Sequence, residues 1–346
     1  MSDSRKAFRG PSAEVAPAAS KAAPGGTHVV PVELGGRPLD GIVRGLFGTS
    51  WGAARKWITT GKVQVDGQVV VDPERGVRAG VKVIVTMSAP KRSKPGQGAG
   101  RAGLHELPDT AIVHVDAHVI VVNKPAGVST IPFDETETGT LDELVRDWLS
   151  KRAKRGERGD RPSLGIVHRL DKETSGVIVF TRTWLAKQSL TQQFRVHSVH
   201  RRYLTIAHGE VPARTIRSHI VPNRGDGLRG TLRGARARAN RDRDPEGQLA
   251  ITHLEPIESL AGATLVACTL ETGRTHQIRI HLSESGHPVL GDRVYSRGFL
   301  GDVIPAPRLM LHAGELAFVH PARNVEVRFE RPPPADFEET LARLRA

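Results

Sequence analysis

Leu39, Ile42, Val43 and Leu46 share one side of a 3.6-residue turn, so the chain's first predicted element is an amphipathic helix. Gly48-Thr49-Ser50 punctuates that pattern. A second helix is predicted over residues 51–59, with Ala54, Trp57 and Ile58 inward and Arg55 and Lys56 outward. The period then drops to two. Val63 and Val65 alternate with polar neighbours, Asp66-Gly67 supplies a turn, and valines continue to Val71, which is a hairpin signal. A last strand fits residues 81–85. These elements predict a small unit over residues 31–87. Before it, residues 1–30 are rich in Pro, Ala, Ser and Gly and read as a disordered tail. After it, residues 88–108 read as a linker. Gly96, Gly98 and Gly100 within the linker follow no strand and open no helix, so linker composition explains them better than a phosphate loop.

From residue 109 to 346 the pattern changes. Short β-branched runs recur at residues 111–115, 119–122, 165–167, 177–180, 204–207, 265–270 and 311–318, with helical spacing at 141–149 and 185–194. Many strands with unevenly interspersed helices predict an α+β domain around a large, mainly antiparallel sheet. Two basic excursions interrupt it. One runs from Lys151 through Arg161, the other from Arg224 to Arg243. Both read as loops too polar to pack, either reaching RNA backbone or simply solvated. There is no internal repeat of fixed period.

Composition narrows the partner. Fifty Lys and Arg against 37 Asp and Glu give a net charge of +13 over 346 residues. Such a field attracts polyanions, RNA first among them. The single cysteine, Cys268, excludes an intrachain disulfide, and no Cys/His zinc spacing exists. Cys268 lies in an apolar run and reads as a small core residue. No stretch approaches the ~18 apolar residues of a membrane span, and the N-terminus lacks the apolar segment of a secretory signal. The expectation is a cytoplasmic monomer.

One turn stands out chemically. Gly165-Ile166-Val167 and Val177-Ile178-Val179-Phe180 flank His168-Arg169-Leu170-Asp171-Lys172-Glu173-Thr174-Ser175-Gly176. A carboxylate on a loop between rigid strands is where catalytic groups usually sit. The same residues also suit an ordinary hairpin, because Thr, Ser and Gly favour turns. The residues alone leave both readings open.

The run His-Arg-Leu-Asp-x-x-Thr-Ser-Gly resembles the signature of RluA-type pseudouridine synthases at every specified position. Other family landmarks follow in order. Asp116 to Gly127, containing Asn123-Lys124-Pro125, resembles the opening motif of the catalytic domain. Arg201-Arg202-Tyr203 resembles the tyrosine-bearing strand. Glu271 to Leu282 with Gly286 to Asp292, and the closing Leu311-His312-Ala313 and His320-Pro321, resemble the later motifs. Ile131-Pro132 departs from the family's frequent His-Pro pair. The first unit resembles an S4 RNA-binding domain over about 50 residues, its core at residues 53–67, with Gly80-Val81 and Trp51-Gly52 departing from its usual pattern.

These resemblances imply an isomerase that breaks the N1–C1′ bond of uridine, turns the base and bonds C5 to C1′. They imply no cofactor and no metal. Asp171 would be the nucleophile and Tyr203 the active-site tyrosine, whose ring can stack on an extruded base. Arg279 would be the arginine that pairs with the aspartate, with Arg274 the competing assignment. A buried carboxylate needs such a partner to stay charged and aimed. Arg55, Lys56, Lys62, Lys124, His168, Arg169 and Arg274 are the expected RNA contacts, with Lys124 open to a backbone-anchoring role. Thr275 is expected to cap the helix after it. His276 and His281, five apart, lack the spacing of a helical metal pair and read as structural or RNA-contacting. The expected substrate is large-subunit ribosomal RNA. The alternatives are the same chemistry on tRNA, or a catalytically silent RNA-binding factor of ribosome assembly.

Overall fold

The computed structural model describes residues 26–73, 75–89, 106–133, 137–152, 163–224, 228–231 and 247–345. The chain divides into two compact units, residues 1–101 and 102–346.

In the first unit, β1 (Gly26–Val29) precedes α1 (Leu39–Phe47) and α2 (Trp51–Thr59), then β2 (Val63–Val65), β3 (Gln68–Val69) and β4 (Lys82–Val85). Gly48 ends α1 in the left-handed region, and the Ser50 hydroxyl opens α2 by accepting from the Ala53 amide at 3.2 Å. That capping bond satisfies one of the donors a helix start leaves free. Asp66 and Gly67 both take positive φ, 48° and 79°, the conformation a two-residue hairpin turn requires. The sheet runs β1-β4-β2-β3, antiparallel throughout. Leu39, Ile42, Val43, Ala54, Ile58 and Val83 are fully enclosed between the helices and the sheet. The unit starts earlier than the sequence pattern suggests. Residues 26–29 pair with β4 and Val30 is buried, so the tail read over residues 1–30 is too long at its C-terminal end. Residues 1–25 lie outside the described residues.

The second unit contains β5 (Ile112–Val115), β6 (Val119–Lys124), α3 (Leu141–Arg152), β7 (Gly165–Ile166), β8 (Ser175–Thr181), α4 (Trp184–Arg195) and β9 (His200–His208). It continues with β10 (Arg214–Val221), β11 (Gly230–Thr231), β12 (Gln248–Leu260), β13 (Ala263–Leu270), α5 (Gln277–Glu284), β14 (Leu311–Val319), β15 (Glu326–Glu330) and α6 (Ala335–Arg345). Its sheet runs β11-β10-β12-β13-β9-β14-β8-β6-β5, with β15 beside β14 and β7 beside β8. Among the described residues every pairing is antiparallel except β8 with β14, which agrees with the α+β, mainly antiparallel expectation.

The centre of this sheet is covered on both faces. All seven residues of β8 are buried. Ile178 and Phe180 pack on the side of Leu144, Val145 and Trp148 of α3, while Val177 and Val179 pack on the side of Ala186 and Leu190 of α4. A strand buried on both faces reads as a continuous apolar run, which is why its pattern is visible in sequence. Gly176 shows why the turn motif ends in glycine. Its φ is +117°, and a Cβ there would stand 2.2 Å from the carbonyl oxygen of Ala313 on β14.

Three boundary expectations change. Leu107 is buried in the second unit's core, so the linker ends before it. Residues 230–231, inside the Arg224–Arg243 excursion, form a strand paired with β10; residues 225–227 and 232–246 lie outside the described residues, as do residues 153–162 of the other excursion. The residue capping α5 is His276 at φ 60°, not Thr275, and no side chain caps that helix.

Candidate active site

A cleft of about 780 Å³ opens on the second unit. Its wall is built from residues 129–133, the β7–β8 loop, β9 and the β13–α5 loop. Asp171 stands on the β7–β8 loop, and the loop is pinned on both sides of it. The Leu170 amide donates to the Thr130 hydroxyl at 3.1 Å, and that hydroxyl donates to the Leu170 carbonyl at 2.9 Å. The Lys172 carbonyl accepts from the Gly127 amide at 2.8 Å and from Lys124 Nζ at 3.0 Å. The Thr174 amide closes onto the Asp171 carbonyl at 3.1 Å. The backbone that carries the carboxylate is therefore fixed while its side chain remains a quarter exposed.

Arg279 faces that side chain, its Nη1 3.4 Å from Asp171 Oδ2. It is itself gripped by Asp292, Nε to Oδ2 at 2.7 Å and Nη2 to Oδ1 at 2.9 Å. Asp292 also accepts from the amides of Val294 and Tyr295, and the guanidinium lies 5.0 Å from the Tyr295 ring centre. Burial opposes the charge on Arg279, but the bond and charge of Asp292, with Asp171 behind them, outweigh it and raise its pKa. Burial likewise works against the Asp292 charge, and Arg279 with the two amides reverses that, so its carboxyl sits below the usual range. The two-point contact sets the plane of the guanidinium as well as its charge.

His276 completes the ring around Asp171. Its Nε2 is 3.9 Å from Asp171 Oδ2 and its Nδ1 is 2.8 Å from the Tyr295 hydroxyl. Tyr203, on β9, lines the cleft with its side chain almost wholly buried, and burial pushes its phenol up to about 12. Arg274 lines the same cleft, but its Nε donates to the Leu249 carbonyl at 2.9 Å. Of the two arginines considered from sequence, Arg279 is the one beside Asp171. Arg169, Arg201 and Arg229 also reach the cleft wall, so a small opening gathers several guanidinium groups.

Four expected RNA contacts have other work. Lys124 is fully buried and its Nζ donates to the carbonyls of Pro125, Val128 and Lys172. It cannot reach a phosphate, and its role is the backbone anchor. Burial lowers its pKa to about 7. His168 accepts the Val179 amide on Nε2 at 3.1 Å and stacks on Phe194 at 4.6 Å. Burial, then the Arg201 charge, hold it near 3 and hence neutral. In the first unit, Arg55 Nε is 2.8 Å from the buried Asp40, and Lys62 Nζ donates to the carbonyls of Met87 and Ala89. Lys56 and Arg169 stay exposed.

Asp292, Tyr295 and Arg229 carry no site role in the sequence reading. Asp292 sits in a quoted motif, directly after Gly291, but a contact across thirteen residues leaves no periodic trace. His281 proves structural. Its Nδ1 meets the Thr252 hydroxyl and its Nε2 the Ser218 hydroxyl, and burial lowers it to about 4.

The description "RNA pseudouridylate synthase" belongs to a family model that matches residues 118–284, which hold the Asp171 loop and Arg279. A Pseudomonas aeruginosa protein named ribosomal large subunit pseudouridine synthase D is 34% identical over 328 residues, covering 91% of this chain and 94% of that one. The chain belongs to the RNA pseudouridine synthase family. A Bacillus subtilis relative, the uncharacterized RNA pseudouridine synthase YlyB, is 34% identical over 297 residues, covering 84% of this chain and 88% of its own. Among solved structures, human RNA pseudouridylate synthase domain containing 4 superposes with a TM-score of 0.53 at 26% identity, covering 68% of this chain and 93% of that one. A pseudouridine synthase is an isomerase that acts on RNA, and the basic cleft suits such a polyanion.

Proposed function

We propose that this synthase converts uridine to pseudouridine in large-subunit ribosomal RNA, with Asp171 as the group that opens the glycosidic bond. The observation that carries the reading is a carboxylate fixed on a pinned loop in a basic cleft, with Arg279 at 3.4 Å and Tyr203 on the same wall. The relatives bearing the name ribosomal large subunit pseudouridine synthase D support the choice of RNA.

On this reading the target base leaves its stack at a cost of roughly a few kcal/mol, and the Tyr203 ring recovers part of it by stacking. Arg279 holds Oδ2 of Asp171. Oδ1 has no protein partner among the described residues and is free to work on the sugar or the base. The cleft arginines Arg169, Arg229 and Arg274 hold backbone phosphates beside the opening. The first unit acts as an S4-like RNA grip in which Lys56 is the exposed cation of the second helix. No helix among the described residues is long and apolar enough to cross a membrane; the protein is read as a cytoplasmic monomer.

A pseudouridine map of total RNA, with and without the protein, tests substrate and activity together. The expected result is the loss of one or more large-subunit sites without it, restored by wild type and not by Asp171→Asn, which keeps RNA binding near the wild-type level. Sites lost only from tRNA would overturn the substrate. An Asn variant modifying RNA at the wild-type rate would overturn the assignment of Asp171.

A further inference from the structure

His276 occupies the left-handed region at φ 60°, directly before α5. That conformation is costly for a residue with a side chain, by roughly 1–3 kcal/mol, and persists only where the surroundings impose it. Here they do. The Gln277 amide is buried and makes four bonds, accepting from the Thr272 hydroxyl and the Arg274 amide and donating to the Ile251 carbonyl and the Thr252 hydroxyl. The turn is thereby locked, and the imidazole is held between Tyr295 and Asp171.

The identity of its proton follows from the partner. Burial pushes the Tyr295 phenol up to about 12, so the hydroxyl keeps its hydrogen. Its hydrogen-bond partner among the described residues is His276 Nδ1, and the tautomer in which the phenol donates and Nδ1 accepts is the one that satisfies the phenol's hydrogen. Burial, outweighing Asp171, lowers the His276 pKa, with Arg279, Asp292 and Arg229 the other charges that bear on it. Burial thus favours the neutral ring. A neutral imidazole with Nδ1 as acceptor carries its hydrogen on Nε2, and Nε2 is the atom on the Asp171 side.

The 3.9 Å between Nε2 and Asp171 Oδ2 is too long for a direct hydrogen bond. It suits one oxygen bonded to both, accepting from Nε2–H and donating to Oδ2. A phosphate oxygen or a uracil carbonyl can only accept, and the carboxylate repels it. The uracil N3–H can only donate. Within an RNA strand the 3′ and 5′ oxygens are esterified, and the 2′-hydroxyl remains as the group that both accepts and donates. We propose that His276 and Asp171 together hold the ribose 2′-hydroxyl of the target nucleotide, His276 donating to it and Asp171 Oδ2 accepting from it. His276 is then the residue through which the cleft distinguishes ribose from deoxyribose, and Tyr295 fixes its tautomer.

This inference rests on the synthase reading and on Asp171 as its working carboxylate. The test uses the full-length protein and a synthetic RNA hairpin bearing the uridine located by the pseudouridine map. A twin hairpin carries 2′-deoxyuridine at that one position. Dissociation constants for both are measured with wild type, His276→Ala, His276→Gln and Tyr295→Phe. Wild type should favour the ribose probe by roughly tenfold or more. His276→Ala should lose that factor on the ribose probe and bind the deoxy probe as wild type does, bringing the ratio near one. His276→Gln, whose amide can still donate, should keep part of the preference, and Tyr295→Phe should reduce it with His276 intact. A His276→Ala ratio equal to the wild-type ratio, or a wild-type ratio near one, overturns the proposal. A wild-type protein that forms no pseudouridine in the ribose probe points instead to failure of the synthase reading or its target.

Discussion

Both units bring an arginine to an aspartate, and they do so on different plans. In the first, Arg55 meets Asp40 through one contact at 2.8 Å, and the guanidinium is a third exposed. In the second, Arg279 is 10% exposed and meets Asp292, fully buried, through two contacts, with a second carboxylate, Asp171, at 3.4 Å. The first arrangement ties a helix to its neighbour while water still reaches the cation. The second removes water and spends the cation's geometry on aiming a carboxylate. A site that must hold a reacting group within tenths of an ångström is built the second way. A surface that only needs positive potential can use exposed lysines.

The largest effect that would break this contrast is expected from Asp292→Ala. It leaves the buried Arg279 without its two-point partner. Removing one member of a buried ion pair costs about 3–5 kcal/mol. A guanidinium released from its plane would also misplace Asp171, and a shift near 1 Å costs about a hundredfold in rate. Urea unfolding and single-turnover pseudouridine formation read the two effects separately. Asp40→Ala in the first unit should cost only about 1 kcal/mol or less, the scale of a hydrated pair, and leave the chemical step unchanged. Equal losses in the two variants would remove the distinction.

A smaller effect separates the two units by pH. Lys124 sits near 7 in the folded chain, lowered from 10.5 by burial. The charges of Asp171 and Glu173 and the three carbonyls favour its ammonium, but burial is the larger influence. Below pH 7 both folded and unfolded chains hold the proton and the burial penalty is fully present. Above it the folded chain releases the proton while the unfolded chain keeps it, so stability should rise between pH 7 and about 10, by up to ~1.4 kcal/mol per pH unit. Urea midpoints at pH 7, 8 and 9 should climb for wild type and stay flat for Lys124→Met. A flat wild-type profile would show that the carbonyl cage, and not burial, sets the charge.

The same contrast explains what was readable from sequence. The helices of the first unit were legible because a single apolar face sets their period, and α2 begins and ends at the residues the pattern gives. The buried β8 was legible for a different reason, the continuous apolar run of a strand covered on both faces. By contrast β10 and β12 were not. β10 exposes half of its residues, and β12 carries Pro256, where its register shifts. In the candidate site, Asp171, Tyr203 and Arg279 stand out through the family resemblance, and the structure brings them to one cleft. A charge looks the same in sequence whether it faces solvent or three carbonyls, which is why Lys62 reads as an RNA contact and Lys124 as either a contact or a backbone anchor. Lys124 and Lys62 are both consumed by backbone oxygens. Asp292 meets Arg279 through a loop closure that has no period and no local composition, and His276 reads in sequence only as structural or RNA-contacting.

The smallest effect tests whether the first unit contributes potential and nothing more. Lys56 is exposed on α2 beside Arg55. If it meets one phosphate, Lys56→Ala should weaken RNA binding a few-fold, equally for all sequences, and reduce the salt slope by about one. Its melting temperature should not move, because an exposed lysine without a buried partner contributes little to stability. Arg55→Ala should do the reverse. It strands Asp40, which is 3% exposed and whose other carboxylate contact is the Gly41 amide, so stability should fall by about 1–3 kcal/mol while the salt slope changes less than for Lys56→Ala. Binding isotherms at several salt concentrations, beside thermal melts of the same two variants, give both comparisons. A Lys56 variant with an unchanged slope would remove α2 from the RNA-binding face and leave the cleft arginines to carry the electrostatic attraction.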